Sequence, residues 1–156
     1  MKDKLILDAC CGSRMFWFNK ENPNVLFQDI RDEEHILCDG RQLKVHPDVV
    51  GDFTKMQYED NTFQMVVFDP PHLDNANATS YMAQKYGTLR RVKWKEDLKK
   101  GFEECMRVLK PNGTLIFKWN ESRIPVRRII EVIGHEPLFG HRTARQTVWL
   151  CFMKGL

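Results

Sequence analysis

Short apolar runs recur along this chain, and four of them end on an aspartate. Leu5-Ile6-Leu7 closes at Asp8, Val25-Leu26-Phe27 leads to Asp29, Val49-Val50 to Gly51-Asp52, and Met65-Val66-Val67-Phe68 to Asp69. A fifth run, Thr114 to Trp119, follows Lys110-Pro111-Asn112-Gly113, a turn by its proline and glycine. Helical patterns separate some of these runs. Between Lys93 and Leu109 the apolar positions Trp94, Leu98, Phe102, Cys105, Met106 and Leu109 keep the spacing of one helix face. Ile124–Ile133 reads as a second helix, with Pro125 in its first turn and Gly134 as its stop. Glu136–Phe139 and Thr147–Met153 read as an antiparallel pair joined over Gly140–Gln146. Short apolar strands alternating with helices predict a largely parallel sheet covered on both faces, an α/β architecture.

The 156 residues are expected to form a single domain spanning 1–156. No apolar run approaches the ~20 residues of a membrane helix. Met1-Lys2-Asp3-Lys4 passes at once into a strand of the fold, which argues against a signal peptide. Five cysteines without Cys-x-x-Cys spacing, and no His-x-x-x-His pair, predict neither disulfides nor a metal site. A reducing cytoplasm is the expected home. Residues 1–72 carry 8 basic and 13 acidic side chains, and residues 73–156 carry 16 and 8. That asymmetry hints at a polyanion meeting the second half, unless folding intermixes the two surfaces.

The most distinctive chemistry lies in Asp69-Pro70-Pro71-His72. Two prolines cannot continue a central strand, so they fix a rigid turn at its carboxyl end, where open α/β sheets bind ligands. The turn offers a carboxylate, a carbonyl and an aromatic ring, which suits holding a flat amine-bearing group. Taken by itself, the tetrapeptide reads equally as a Pro-Pro strand stop. Asp8-Ala9-Cys10-Cys11-Gly12-Ser13-Arg14 forms a small-residue turn after the first strand, which admits close approach of a ligand to the backbone, and a helix expected to start after it would offer free amides. It lacks the Gly-x-Gly-x-x-Gly of nicotinamide-binding loops. Asp29, 21 residues after Asp8, is placed to accept from both hydroxyls of a ribose. Asp39, in Cys38-Asp39-Gly40-Arg41, competes for that role or simply makes a turn. Asp52 would accept from an adenine amino group with Phe53 against the ring, or else cap a helix.

These pieces, with Gly51-Asp52-Phe53-Thr54 and Leu109-Lys110-Pro111-Asn112-Gly113-Thr114, occur in the order of the motifs of class I S-adenosylmethionine-dependent methyltransferases, which the chain resembles over residues 5 to about 119. Asp69–His72 resembles the Asp/Asn-Pro-Pro-aromatic motif of amino-group methyltransferases, and the small size is similar to compact phage and prophage members. The resemblance implies a Rossmann-like, mostly parallel seven-stranded sheet with helices on both faces and a C-terminal antiparallel hairpin. It implies S-adenosylmethionine as cofactor, held by Asp8, Ala9, Cys10, Gly12, Asp29, Asp52 and Phe53. Asp69, Pro70, Pro71 and His72 become the catalytic turn. His72 and Asn120, with Glu121 beside it, face the acceptor. No metal is needed. Cys10 and Arg14 depart from the glycines common in the first loop, and His72 replaces the usual Tyr, Phe or Trp.

The expected reaction is methylation of an exocyclic amine on a DNA or RNA base. From Leu73 onward, Lys85, Arg90, Arg91, Lys93, Lys95, Lys99 and Lys100 interleave with Tyr81, Tyr86 and Trp94, a mixture suited to phosphates and stacked bases or to a solvated helix face. A base in a duplex must be flipped out or offered single-stranded, and a partner subunit is one source of target recognition. A protein side-chain amide or small molecule is the alternative acceptor. A module that binds cofactor or nucleoside without turnover is the alternative of another class.

Overall fold

The computed structural model describes residues 3–72 and 93–156. Seven strands form one sheet: β1 (Ile6–Asp8), β2 (Val25–Asp29), β5 (Val49–Val50), β6 (Phe63–Phe68), β7 (Leu109–Asn120), β8 (Phe139–Arg142) and β9 (Thr147–Met153). Their order is β5-β2-β1-β6-β7-β9-β8. The first five are parallel neighbours, while β9 pairs antiparallel with both β7 and β8. The chain leaves β1 for β2 on one side and later returns to β6 on the other. The crevice between the ends of β1 and β6 is therefore the switch point where such sheets bind ligands.

Residue alternation explains the packing of the two faces. Leu7, Val66, Phe68, Leu115, Phe117, Trp119 and Leu150 pack with the helices α1 (Trp94–Val108) and α2 (Val126–Ile133). On α1 the buried Leu98, Phe102, Cys105 and Val108 are the predicted stripe. Gly101 of α1 is needed for space: a Cβ there would stand 2.5 Å from the Phe53 ring and 2.8 Å from Phe68. Pro125 precedes the first residue of α2, Glu121 Oε2 accepts the Val126 N–H at 3.1 Å, and Gly134 ends the helix in the left-handed region at φ 72°. Over β1 and β2 the other face is covered by Trp17, packed with Ile6, Val25, Phe27 and Cys11.

Four local features depart from expectation. Residues 9–24 run through turns, so the helix expected to open after the first loop does not form. An antiparallel hairpin of β3 (Glu33–Ile36) and β4 (Gln42–Val45) was not anticipated, although its tip carries the expected turn, with Gly40 at φ 81°. The last pair is β8–β9, so its first strand begins at Phe139 where Glu136–Phe139 was expected. The expected turn at Lys110–Gly113 lies inside β7, as an irregularity in its pairing with β6. Register with β6 passes from Phe63↔Leu109 to Met65↔Thr114, and Asn112 takes φ 63°. Among the described residues, no helix is long and apolar enough to cross a membrane, and no cluster of metal-ligating side chains appears.

Candidate active site

Three aspartates stand at the carboxyl ends of the adjacent strands β2, β1 and β6. Asp8 is fully buried. Its Oδ2 accepts the Trp17 indole N–H at 2.7 Å and its Oδ1 the Cys10 N–H at 3.3 Å. Burial pushes its carboxyl up to about 7, with the charges of Asp69 and Asp29 acting in the same direction and the two hydrogen bonds opposing them.

Asp29 binds the first loop directly. Its Oδ2 accepts the Gly12 N–H at 2.8 Å, and its Oδ1 accepts both the backbone N–H and Nε of Arg31 at 3.0 and 3.1 Å. A carboxylate offers about four lone-pair positions. Three are in use on Asp29. Asp39 lies on the hairpin tip, bonded to its neighbour Arg41. Of the two competitors, only Asp29 touches the loop.

The loop takes a left-handed backbone at Gly12 (φ 50°) and again at Arg14 (φ 57°), which costs roughly 1–2 kcal/mol for a residue with a side chain. Arg14 offsets this by anchoring. Its guanidinium lies 3.9 Å over the Phe27 ring and donates to the carbonyls of Lys20 (2.6 Å) and His46 (2.8 Å). Between this loop and the hairpin opens a cleft of about 730 Å³, lined by Arg14, Lys20, Arg41, Lys44 and His46 among others. Beneath the loop, buried Gln28 donates to the Ala9 carbonyl and accepts from Tyr58, a support the sequence reading did not single out.

After β5, Asp52 turns back on Thr54, accepting its N–H and hydroxyl at 2.8 Å each, and no helix starts there. Phe53 is half-buried against Phe68, with ring centroids 5.2 Å apart.

At the end of β6, Asp69 Oδ2 accepts from Lys118 Nζ at 2.8 Å. Pro70 is buried, and Pro71 half-buried. His72 is 8% exposed and meets Trp119 edge-on at 6.3 Å. Burial, aided by the Lys118 charge, pushes its imidazole down to about 4, so the ring is neutral at neutral pH. Asn120 closes β7 with its amide committed to the Arg145 carbonyl, Thr147 and the Ser122 N–H. Glu121 is bonded to Arg142 and to the start of α2. Lys118 is the site residue that sequence reasoning missed. The segment from Leu73 to Arg91, with Lys85, Arg90, Arg91, Tyr81 and Tyr86, lies outside the described residues. Of the α1 lysines, Lys100 pairs with Glu96 at 2.6 Å and Lys95 lies over Trp94.

This architecture is shared with solved structures. A TehB-like SAM-dependent methyltransferase from Corynebacterium glutamicum aligns with a TM-score of 0.57 at 17% identity, over 99% of this chain and 82% of that one. The N-methyltransferase NodS from Bradyrhizobium japonicum aligns at 0.53 and 12%, over 96% and 84%. The fold is that of the S-adenosylmethionine-dependent methyltransferases. A third example is the 1,6-didemethyltoxoflavin-N1-methyltransferase of Burkholderia thailandensis, solved with 1,6-didemethyltoxoflavin and S-adenosylhomocysteine (0.55, 12%, over 96% and 70%). No protein-family model and no curated relative matches the chain. The methyltransferase fold therefore rests on backbone architecture, and the chemistry must be argued from the residues at its switch point.

Proposed function

We propose that this chain is an S-adenosylmethionine-dependent N-methyltransferase whose acceptor is an exocyclic amino group of a DNA or RNA base. The observation that carries the reading is the position of Asp69 and Pro70 beside Asp8, across the β1/β6 switch point of a methyltransferase fold. The donor set suits the cofactor. Asp8, Asp29 and Asp69 favour a cationic sulfonium, Asp29 retains one acceptor position for the ribose, and the left-handed turn at Gly12 admits a ligand close to the backbone. Ala9, Cys10, Asp52 and Phe53 would complete the cradle. When bound, S-adenosylmethionine supplies an electrophilic methyl group.

The chain's own task is to orient the acceptor. An amine on an aromatic ring has a delocalised lone pair. The Asp69 carboxylate and the Pro70 carbonyl would each accept one of its N–H groups, favouring a pyramidal nitrogen whose lone pair faces the methyl. Such hydrogen bonds contribute roughly 1.5–3 kcal/mol each to a charged acceptor. Alignment of two held reactants supplies roughly 7–11 kcal/mol. Positioning therefore dominates, and Asp69 acts as an orienting acceptor more than as a strong base. Pro71 stiffens the turn, and neutral His72 walls it.

The test is transfer of label from methyl-tritiated S-adenosylmethionine into single-stranded DNA, RNA, protein or small heterocyclic amines. Asp69→Ala is expected to abolish transfer while leaving cofactor affinity within several-fold. Unchanged turnover in that variant would refute the role of Asp69, and no cofactor binding by calorimetry would refute the cofactor.

One observation favours a second acceptor class. His72 is turned edge-on into Trp119 and is nearly buried, so little of its ring remains for stacking on a base. A small heterocyclic amine or a side-chain amide needs less of that surface.

A further inference from the structure

Lys118 is the one cation in the stretch Thr114–Trp119 of β7, where buried residues alternate with half-buried ones. Its neighbours Phe117 and Trp119 are fully buried on the helix side of the sheet, so Lys118 leaves by the other face. There it is held from three directions. Register pairs Phe68 with Phe117, which brings Lys118 beside Asp69, and the Nζ to Oδ2 distance is 2.8 Å. Register on the other side pairs Lys118 with Trp149. The ammonium lies 5.6 Å from the Trp149 ring and 5.3 Å from that of Phe16, and these two rings meet edge-to-face at 5.5 Å. Holding a long, flexible side chain in one place costs rotamer entropy. A corner of two aromatic faces and a carboxylate offsets that cost, because ring faces attract a cation.

We infer that Lys118 is a positioning residue for the acceptor clamp: it keeps the Asp69 carboxylate ionised and engaged through Oδ2, leaving Oδ1 to receive the N–H of an uncharged amine. The inference deepens the methyltransferase reading and rests on Asp69 being that clamp.

Among the described residues, the surroundings of Asp69 leave this work to Lys118. Burial pushes the Asp69 carboxyl up, and Lys118 acts against it through both charge and hydrogen bond. On β1, Asp8 adds a like charge when ionised, and Asp29 on β2 lies beyond it. His72, two residues past Pro70, is neutral, and the Cys10 thiol is held protonated by burial. Without Lys118 nothing named here would oppose the upward push of burial, and a carboxyl that took up a proton would turn one acceptor into a donor. A protonated alkylamine has no lone pair to offer the methyl, so the clamp suits an amine that is neutral at pH 7, an aryl amine or an amide.

The experiment follows the Asp69 carboxyl carbon by NMR in protein labelled at aspartate, assigned with Asp69→Asn, in wild type, Lys118→Met and Lys118→Arg. Lys118→Met is expected to raise the Asp69 midpoint by about 1–3 pH units, and Lys118→Arg to restore most of it. Label transfer from methyl-tritiated S-adenosylmethionine to single-stranded DNA, RNA and heterocyclic amines should fall roughly tenfold at pH 7 in Lys118→Met and recover toward high pH. Should Lys118→Met unfold, Lys118→Gln removes the charge while keeping a donor, and the same rise is expected. An Asp69 midpoint unmoved by loss of the Lys118 charge would overturn the inference. A wild-type protein that labels no acceptor would overturn the methyltransferase reading instead, while the titration still decides whether Lys118 governs Asp69.

Discussion

Trp17 Nε1 donates to Asp8 Oδ2 at 2.7 Å, so an indole from the first loop covers the carboxylate that ends β1. The same indole meets Phe27 edge-to-face at 5.4 Å. One side chain thus closes the sheet over β1 and β2 and satisfies a buried acceptor at the switch point.

Replacing Trp17 by Phe keeps the packing and removes the donor. A hydrogen bond to a charged group contributes roughly 1.5–3 kcal/mol. Urea unfolding should show a loss of that order at pH 8, where Asp8 is ionised, and a smaller loss at pH 5, where it is protonated. Equal losses at both pH values would show that the indole serves packing alone.

Asp8→Asn tests the charge itself. Because the folded carboxyl is pushed up to about 7 from an ordinary 3.8, the folded state binds more protons than the unfolded one between those values. Stability at this group therefore falls as pH rises through that window. The asparagine variant should be more stable than wild type at pH 8 and lose that advantage by pH 5, as followed by thermal melts. It should also bind S-adenosylmethionine more weakly at pH 8, because an ionised Asp8 favours a sulfonium.

Two glycine-to-alanine changes should separate space from backbone. At Gly101 the new methyl meets Phe53 and Phe68 at 2.5 to 2.8 Å, an overpacking that costs roughly 1–3 kcal/mol and displaces Phe53. At Gly134 nothing stands within 4 Å, and only the left-handed backbone opposes a side chain, at roughly 1 kcal/mol. If Phe53 lines the adenine, calorimetry should show weaker cofactor binding in Gly101→Ala and none of that effect in Gly134→Ala.

Arg14→Ala keeps the left-handed backbone and removes its anchor on Phe27, Lys20 and His46. Amide exchange at Gly12 and Arg14 should quicken by more than tenfold, given hydrogen bonds of roughly 1 kcal/mol each. Unchanged protection would mean that Asp29 alone holds the loop.

Much of the fold was legible because its strands are short apolar runs with aspartates at their ends. Asp8, Asp29 and Asp69 mark the edge of the parallel sheet at which ligands bind. The stripe from Trp94 to Leu109 and the stop at Gly134 likewise located both described helices. The β3–β4 hairpin was not legible. Glu33-Glu34-His35-Ile36 and Gln42-Leu43-Lys44-Val45 are mostly polar, and they enclose only a small cluster of Leu37, Leu43 and Val45. The Asp-Gly turn between them was visible, but its flanks lacked strand signal. Lys118 was hidden for another reason. Its relation to Asp69, 49 residues away, exists only through the register of β6 and β7. The available cue was a single lysine inside a strand expected to be covered on both faces.

The turns across residues 9–24 bear on turnover. With no helix beginning after the first loop, no helix N-terminus adds positive potential there. Among the described residues, the local field is set by Asp8, Asp29 and Asp69 against Lys118, Arg31 and Arg14. Methyl transfer would move the positive charge from the sulfonium to the acceptor nitrogen, so this field would go on favouring a cation beside Asp69 until that nitrogen gives up its proton.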